Sequence, residues 1–362
     1  MDVAVLPVEA PVPGPARHAR RGTLDNLSRR MLAAWHVVAT SAEVSRSPHQ
    51  VMLLGEAWVL VRLPDGLRAF RDACPHRLAP LSAGSVTDGT LQCGYHGWRF
   101  GADGGCVDIP ALGRTEQISK RATLRAPYGV VEQYGLVWLA PLEPLAPLPA
   151  FPEFGTPGFD LTSSTIVRTP VSAAQLVDNF LDAAHFPFVH AATFGTAEAA
   201  KVEESGIERG EWTVETTFST WYRTMDDPLV ASGEREALQP QDLFKQGYAG
   251  YTVTLRLCFP TLGWTIGILF CCQPESAEST RVYKLLARDD LDGDPVRLAA
   301  FVKDEDTILD EDLRILERYG HRHIHLDPTV EMHTKADRLS LSWRNLVAEM
   351  PEPAETPAHL AG

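Results

Sequence analysis

The sequence has no apolar run long enough to cross a bilayer. The longest, Trp264 to Cys272, falls well short of the ~20 residues that a spanning helix needs. The N-terminus has no signal-peptide apolar region, so the expectation is a cytoplasmic protein. Positive charge is also scarce. Lys and Arg total 33 against 47 Asp and Glu, a net charge of −14, which argues against nucleic acid or an anionic membrane as partner. There is no G-x-G-x-x-G, no P-loop and no plant-type set of four cysteines, so the chain is not expected to take hydride from NAD(P)H itself. Only six cysteines occur. Without an export signal they do not suggest a disulfide framework. Cys258, Cys271 and Cys272 lie in strand-like apolar stretches and read as ordinary buried thiols, and Cys106 reads as structural. Cys74 and Cys93 stand apart, because each sits close to a histidine.

What is present is a chain of 362 residues, 44% hydrophobic, long enough for two domains with a sizeable core. Residues 1–23, with four prolines and three arginines, read as a flexible arm, and 351–362 as a loose tail. A short amphipathic segment from Leu24 to Trp35 leads into a first strand. From Val51 to Val107 the pattern is β-rich, with turn signals at Pro64-Asp65-Gly66, Asp88-Gly89 and Asp103-Gly104-Gly105. Tyr134 to Leu139 reads as a further strand. Pro141 to Pro157 reads as a linker, which divides the chain into 24–145 and 146–350. After it, Ser172 is placed to cap a helix over Ala173 to His185. Four strand-like runs follow: Glu211–Tyr222, Tyr251–Pro260, Trp264–Gln273 and Arg281–Asp289. Residues 223–250 read as a polar insert that could cover a cavity. Helices are expected over Asp304–Tyr319 and Val330–Met350. The fold class is α+β: an N-terminal all-β domain, then an antiparallel sheet flanked by helices.

Two constellations carry chemistry. The first is Cys74-Pro-His76 with Cys93-Gly-Tyr-His96, the spacing C-x-H-x16-C-x2-H. Each element can put one thiolate and one imidazole on a tight loop. Two such loops facing each other give two thiolates to one iron and two imidazoles to the other, as in a Rieske [2Fe–2S] cluster. A zinc site would more usually pair C-x2-4-C with H-x3-5-H. The second is Asn179-x2-Asp182-x2-His185-x4-His190. Two histidines plus a distant carboxylate make the 2-His-1-carboxylate set of non-haem Fe(II) oxygenases, which leaves positions open for O2.

The run from Asp72 to Gly84, continued by Cys93-Gly-Tyr-His-Gly-Trp-Arg-Phe, resembles the Rieske domain of vanillate O-demethylase oxygenases and their relatives. Asn179 to His190 matches the family pattern N-x2-D-x2-H-x4-H. The resemblance extends from Trp35 to Met350. It implies an oxygenase component that carries a Rieske cluster and a mononuclear Fe(II), with His185 and His190 as iron ligands. It also implies that the third ligand comes from the late acidic helix. There Asp306 is the choice and Asp304 and Asp310 the competitors, although acids at a helix N-terminus commonly only complement its dipole. Asp182 is implied to bridge His185 to His96 of a neighbouring subunit in a closed ring, a trimer. Electrons are expected from an NAD(P)H-dependent reductase, through a ferredoxin in some systems. The expected reaction is hydroxylation or oxidative demethylation of a mostly apolar, ring-containing molecule. The alternatives are a dioxygenase outcome, a Rieske electron carrier without oxygen chemistry, and a zinc-stabilised ligand-binding protein. Trp212, Phe218, Trp221, Tyr251, Phe259, Trp264 and Phe270 are the candidate aromatic lining.

Overall fold

The computed structural model describes residues 22–45, 47–113, 117–202, 206–224 and 227–353. Most of the expected N-terminal arm and of the tail lies outside the described residues. The first unit begins with β1 (Thr23–Leu24) and a short 3-10 turn at Arg29–Ala33, where the amphipathic segment was expected. Three small antiparallel sheets follow. β2 (His36–Thr40) pairs with β11 (Leu136–Ala140), which pairs with β10 (Gly129–Gln133). β3 (His49–Leu53), β4 (Glu56–Leu63) and β5 (Gly66–Arg71) form the second. β6 (Ser85–Thr87), β7 (Thr90–Gln92), β8 (Arg99–Phe100) and β9 (Cys106–Asp108) form the third. Val59, Val61, Phe70, Leu81, Leu91 and Phe100 are buried together between the second and third sheets, directly beneath Cys74 and Cys93.

The second unit is one eight-stranded antiparallel sheet. Its strands are β12 (Asp160–Ser163), β13 (Val167–Thr169), β14 (Ile207–Arg209), β15 (Thr213–Arg223), β16 (Leu238–Tyr248), β17 (Thr252–Phe259), β18 (Trp264–Ser276) and β19 (Ser279–Arg288). The order is β12-β19-β18-β17-β16-β15-β14, with β13 also on β19. One face is read off the register. Leu243, Leu257, Ile266 and Arg288 lie side by side in one row. Lys245, Leu255, Ile268 and Leu286 lie in the next, and Gly247, Val253, Phe270 and Lys284 in the third. These rows form a mostly apolar floor with lysines set into it.

Helices cover that floor. α1 (Ala173–Leu181) starts at Ser172, whose hydroxyl accepts from Gln175 N while the Gln175 side chain accepts from Ser172 N, a complete capping box. α2 (Phe186–Val189) is a single turn, begun by Pro187 inside its first positions. A further turn, α3 (Pro228–Ala231), lies before β16. α4 (Pro295–Leu316) is capped by Asp294 and starts well before the expected position. β20 (Ile324–His325) pairs with β1. α5 (Arg338–Glu349) is shorter than the sequence pattern suggested.

The 223–250 segment differs most from expectation. It is no insert over a cavity. Its second half is β16, a central strand paired on both sides with β15 and β17. The inward residues of β16 are Gln239, Gln241, Leu243, Lys245 and Gly247. Four of the five are not apolar, so the alternation that marks a half-buried strand is hidden.

Candidate metal centres and substrate cavity

Cys74 and Cys93 lie on two loops that approach each other at the tip of the first unit. Cys74 N donates to Ala79 O and Leu78 N donates back to Cys74 O; Cys93 N donates to Trp98 O and Gly97 N donates back to Cys93 O. Gly97 turns with φ +70°, a conformation costly for other residues. A side chain on Gly94 would run into Ala83 O at 2.6 Å, so only glycine lets the two loops close. Both thiols are buried. Burial pushes the Cys74 thiol up to about 11, so a thiolate there needs a metal to hold it. The imidazoles of His76 and His96 are exposed, with ring centroids 4.6 Å apart, and His76 stacks on Trp98 at 4.6 Å. Cys106 Sγ is turned to Asp108 O. Two buried thiols and two exposed imidazoles on facing loops are a donor set that would fit a Rieske-type cluster.

The second centre is assembled from α1, the α1–α2 junction and α4. His185 Nδ1 bonds Asp182 Oδ2 at 2.8 Å, and His190 Nδ1 bonds Glu311 Oε2 at 2.9 Å. With each Nδ1 donating to a carboxylate, each Nε2 carries a lone pair. Those Nε2 atoms face each other at 3.2 Å, and Asp312 Oδ1 lies 3.5 Å from that of His185 and 3.3 Å from that of His190. Three electron-rich atoms aimed at one point repel unless a cation sits among them. Three mutually cis donors at bonds of about 2.1 Å would stand roughly 3.0 Å apart, close to this triangle. Among the described residues this is the one group of three such side chains that converges in this way.

Asp306 is elsewhere. Its carboxylate accepts from Thr165 N at 3.0 Å and Thr165 Oγ1 at 2.7 Å. The phase of α4 is the reason. The inward stripe of α4 runs through Phe301, Glu305, Leu309, Asp312 and Leu316, and Asp306 is one residue, about 100° of helix, out of phase with it. Asp310 is exposed. The apolar members Phe301, Leu309 and Leu316 are the signal in the sequence that would have selected Asp312. Glu311, also missed, turns with Asp312 into the site and holds His190 and Thr193.

Asn179 donates to Asp312 Oδ1 at 3.3 Å. Asp182 closes α1, and its carboxylate also accepts from Ala184 N and His185 N. Burial opposes its ionisation, but the hydrogen bonds from His185 and Ala184 N and the nearby Lys245 outweigh that and hold its carboxyl below the usual range. Lys245, reaching from β16, donates to Phe180 O at 2.9 Å and Asp182 O at 3.0 Å, and so ties the end of α1 to the sheet. Burial drives its ammonium down to about 8 despite the nearby Asp182 and Asp312 carboxylates.

The three converging side chains form a wall between two spaces. On the sheet side lies a cavity lined by His185, His190, Asp312 and mainly apolar residues including Phe180, Leu243 and Ile268. A mainly apolar lining with a few convergent polar groups is the usual form of a small-molecule site. Of the expected aromatic lining, Phe270 reaches the cavity, as do Phe180, Phe186, Phe194 and Tyr222. Phe259 and Trp264 pack behind it, Tyr251 and Trp212 belong to another part of the core, and Trp221 is exposed. On the outer side is an open groove containing Asp182, Asp178, His323 and Met332, and it too touches His185 and Asp312.

The fold and the two donor sets define a two-unit non-haem iron protein with a Rieske-type centre in the first unit and a mononuclear one in the second. The chain belongs to the vanillate O-demethylase oxygenase family: the family's C-terminal domain matches residues 170–352, and the Rieske [2Fe-2S] domain matches 34–127. It is 36% identical over 211 residues to Protein TIC 55, chloroplastic, of Arabidopsis thaliana, a match covering 54% of this chain and 38% of that protein. Methylxanthine N1-demethylase NdmA of Pseudomonas putida is 26% identical over 334 residues, covering 88% of each. The solved structure of Pseudomonas putida NdmB superposes with a TM-score of 0.77 at 25% identity, covering 88% of this chain and 91% of that one. The chain thus spans a little over a third of the plant relative and nearly all of the bacterial ones.

Proposed function

We propose that this chain is the oxygenase component of a Rieske non-haem iron system that hydroxylates or oxidatively demethylates a ring-containing small molecule. Cys74, His76, Cys93 and His96 would hold the [2Fe–2S] cluster, and His185, His190 and Asp312 the mononuclear Fe(II). When bound, the Fe(II) supplies O2 activation with electrons delivered by the cluster. The observation that carries the reading is the two-sided wall: one face opens on an apolar cavity and the other on a groove where Asp182 meets His185. Glu311 and Asp182 fix the tautomer and plane of the two imidazoles, and Asn179 positions Asp312. The cavity residues exclude water and orient the substrate.

The relatives named as demethylases support the substrate class. Electrons would come from a separate NAD(P)H-dependent reductase, directly or through a ferredoxin, in a reducing compartment such as the cytoplasm. We place the domain boundary at 145/146, within a stretch from Pro141 to Phe159 that holds no strand or helix. Among the described residues His96 makes ring contacts with His76 and Tyr95 and has no contact with Asp182. A closed trimer in which the exposed Rieske tip of one copy enters the groove of the next would complete the path.

Metal analysis and oxygen uptake test this together. Two cluster irons, two sulfides and one further iron per chain are expected, with substrate-dependent O2 uptake when a surrogate reductase is supplied. A red-brown protein with cluster but no mononuclear iron would leave an electron carrier, and a colourless zinc protein would remove the reading altogether.

A further inference from the structure

We propose that Gln241 is a specificity-determining residue that selects an uncharged substrate carrying a hydroxyl or N–H donor. This rests on the oxygenase reading and narrows its substrate class. Gln241 points inward from β16, opposite Thr220 on β15, and is 2% exposed. Its Oε1 is buried and receives no hydrogen bond from any described group. Gln239, one pleat away, shows the contrast. Its Nε2 donates to Glu236 O at 2.6 Å and its Oε1 accepts from Thr261 Oγ1 at 2.7 Å. A buried amide is normally satisfied, and an unsatisfied one in the lining of a cavity leaves a hydrogen bond for a ligand to complete.

Gln241 belongs to the lining of the cavity that His185, His190 and Asp312 also line, and its buried Oε1 lacks a partner there. They come from the helical side and Gln241 from the sheet, so a molecule held between them meets both. Among the described residues lining this cavity, Gln241 Oε1 is the one buried side-chain polar atom without a partner. The two cavity cations are already engaged. Lys245 serves the carbonyls of Phe180 and Asp182, and Lys284 is paired with Glu305 at 2.9 Å. An entering carboxylate or sulfonate would find no unengaged cation and would face the carboxylates of Glu305 and Asp312. A neutral donor meets a waiting acceptor, and a site built to pair a substrate O–H or N–H rejects analogues that lack it.

The test uses the iron-loaded protein and three matched probes: 2-naphthol, 2-methoxynaphthalene and 2-naphthoate, with binding followed by calorimetry. Wild type should bind 2-naphthol about tenfold tighter than its methyl ether, and 2-naphthoate most weakly. In Gln241→Met, with iron and sulfide content unchanged, the preference for the naphthol over the ether should vanish. The ligand-free variant should also melt about 2–4 °C higher, because an unpaired buried amide has been replaced by a group of similar volume. Tightest binding of naphthoate, no naphthol binding by wild type, a preference that survives in Gln241→Met, or a lower melting temperature would overturn the proposal. Wild-type protein without mononuclear iron or O2 uptake would instead remove the oxygenase reading, because the probe preference is read without turnover.

Discussion

Asp306 and Asp312 sit on the same helix, yet one is hydrogen-bonded to Thr165 and the other faces two imidazole nitrogens. Asp312→Ala should therefore abolish mononuclear iron while leaving the cluster and its EPR signal intact. Asp306→Ala should keep both centres and lose only about 1 kcal/mol with the Thr165 contacts. Iron counting on the two variants decides between them. Cys74→Ala or Cys93→Ala should remove the chromophore and leave the second site able to load Fe(II); a full Rieske EPR signal in either would contradict that ligand set. These residues differ in how legible they were. The cysteines and four histidines are local pairs whose spacing states their chemistry. The carboxylate is supplied from more than a hundred residues downstream by one of several acids. Choosing it requires the rotational phase of α4 against the sheet, which a carboxylate count does not contain.

At the scale of elements, α1, the Rieske strands and β15, β17, β18 and β19 follow from capping, turn and strand-propensity signals, whereas the short edge strands β12, β13 and β14 do not. β16 does not, because its inward face is dominated by polar residues that the site requires. Lys245 is the clearest of these. Its folded-state ionisation lies near 8 against an ordinary 10.5, so above pH 8 the unfolded chain binds more protons than the folded one. Stability contributed at this position therefore rises as pH climbs from about 8 towards 10.5. Relative to Lys245→Met, wild type should gain melting temperature across that interval, and a flat difference would mean that burial does not lower the ionisation of Lys245. Loss of the Lys245 tie should also loosen the end of α1 where Asp182 and His185 are held. By contrast, Ser172→Ala removes only the N-terminal cap and should cost about 1 kcal/mol of stability without changing iron content.

For the whole molecule, the wall between cavity and groove separates the route of the organic molecule from the route of electrons. Asp182 lies on the groove side and makes no part of the converging triangle. Asp182→Asn should keep both metal centres and the assembly, yet lower turnover by about 10–100-fold, with reduced cluster persisting in the presence of substrate and O2. Loss of mononuclear iron in that variant would mean that the carboxylate serves the metal rather than the electron path. One more feature binds the two units. β1 pairs Thr23 with His325 and Leu24 with Ile324. Just after it, the Asn26 side chain donates to Ser276 O, Ser279 O and Thr280 Oγ1 and accepts from Ala173 N. The opening residues of the described chain are thus fastened by some of its last. Such contacts close a very large loop, so they form late and slow the search for the native state. On the ribosome, the β-rich first unit can collapse early, but its leading edge stays unfastened until residues beyond 325 have emerged. Cluster insertion before that moment would take place in a partly open protein.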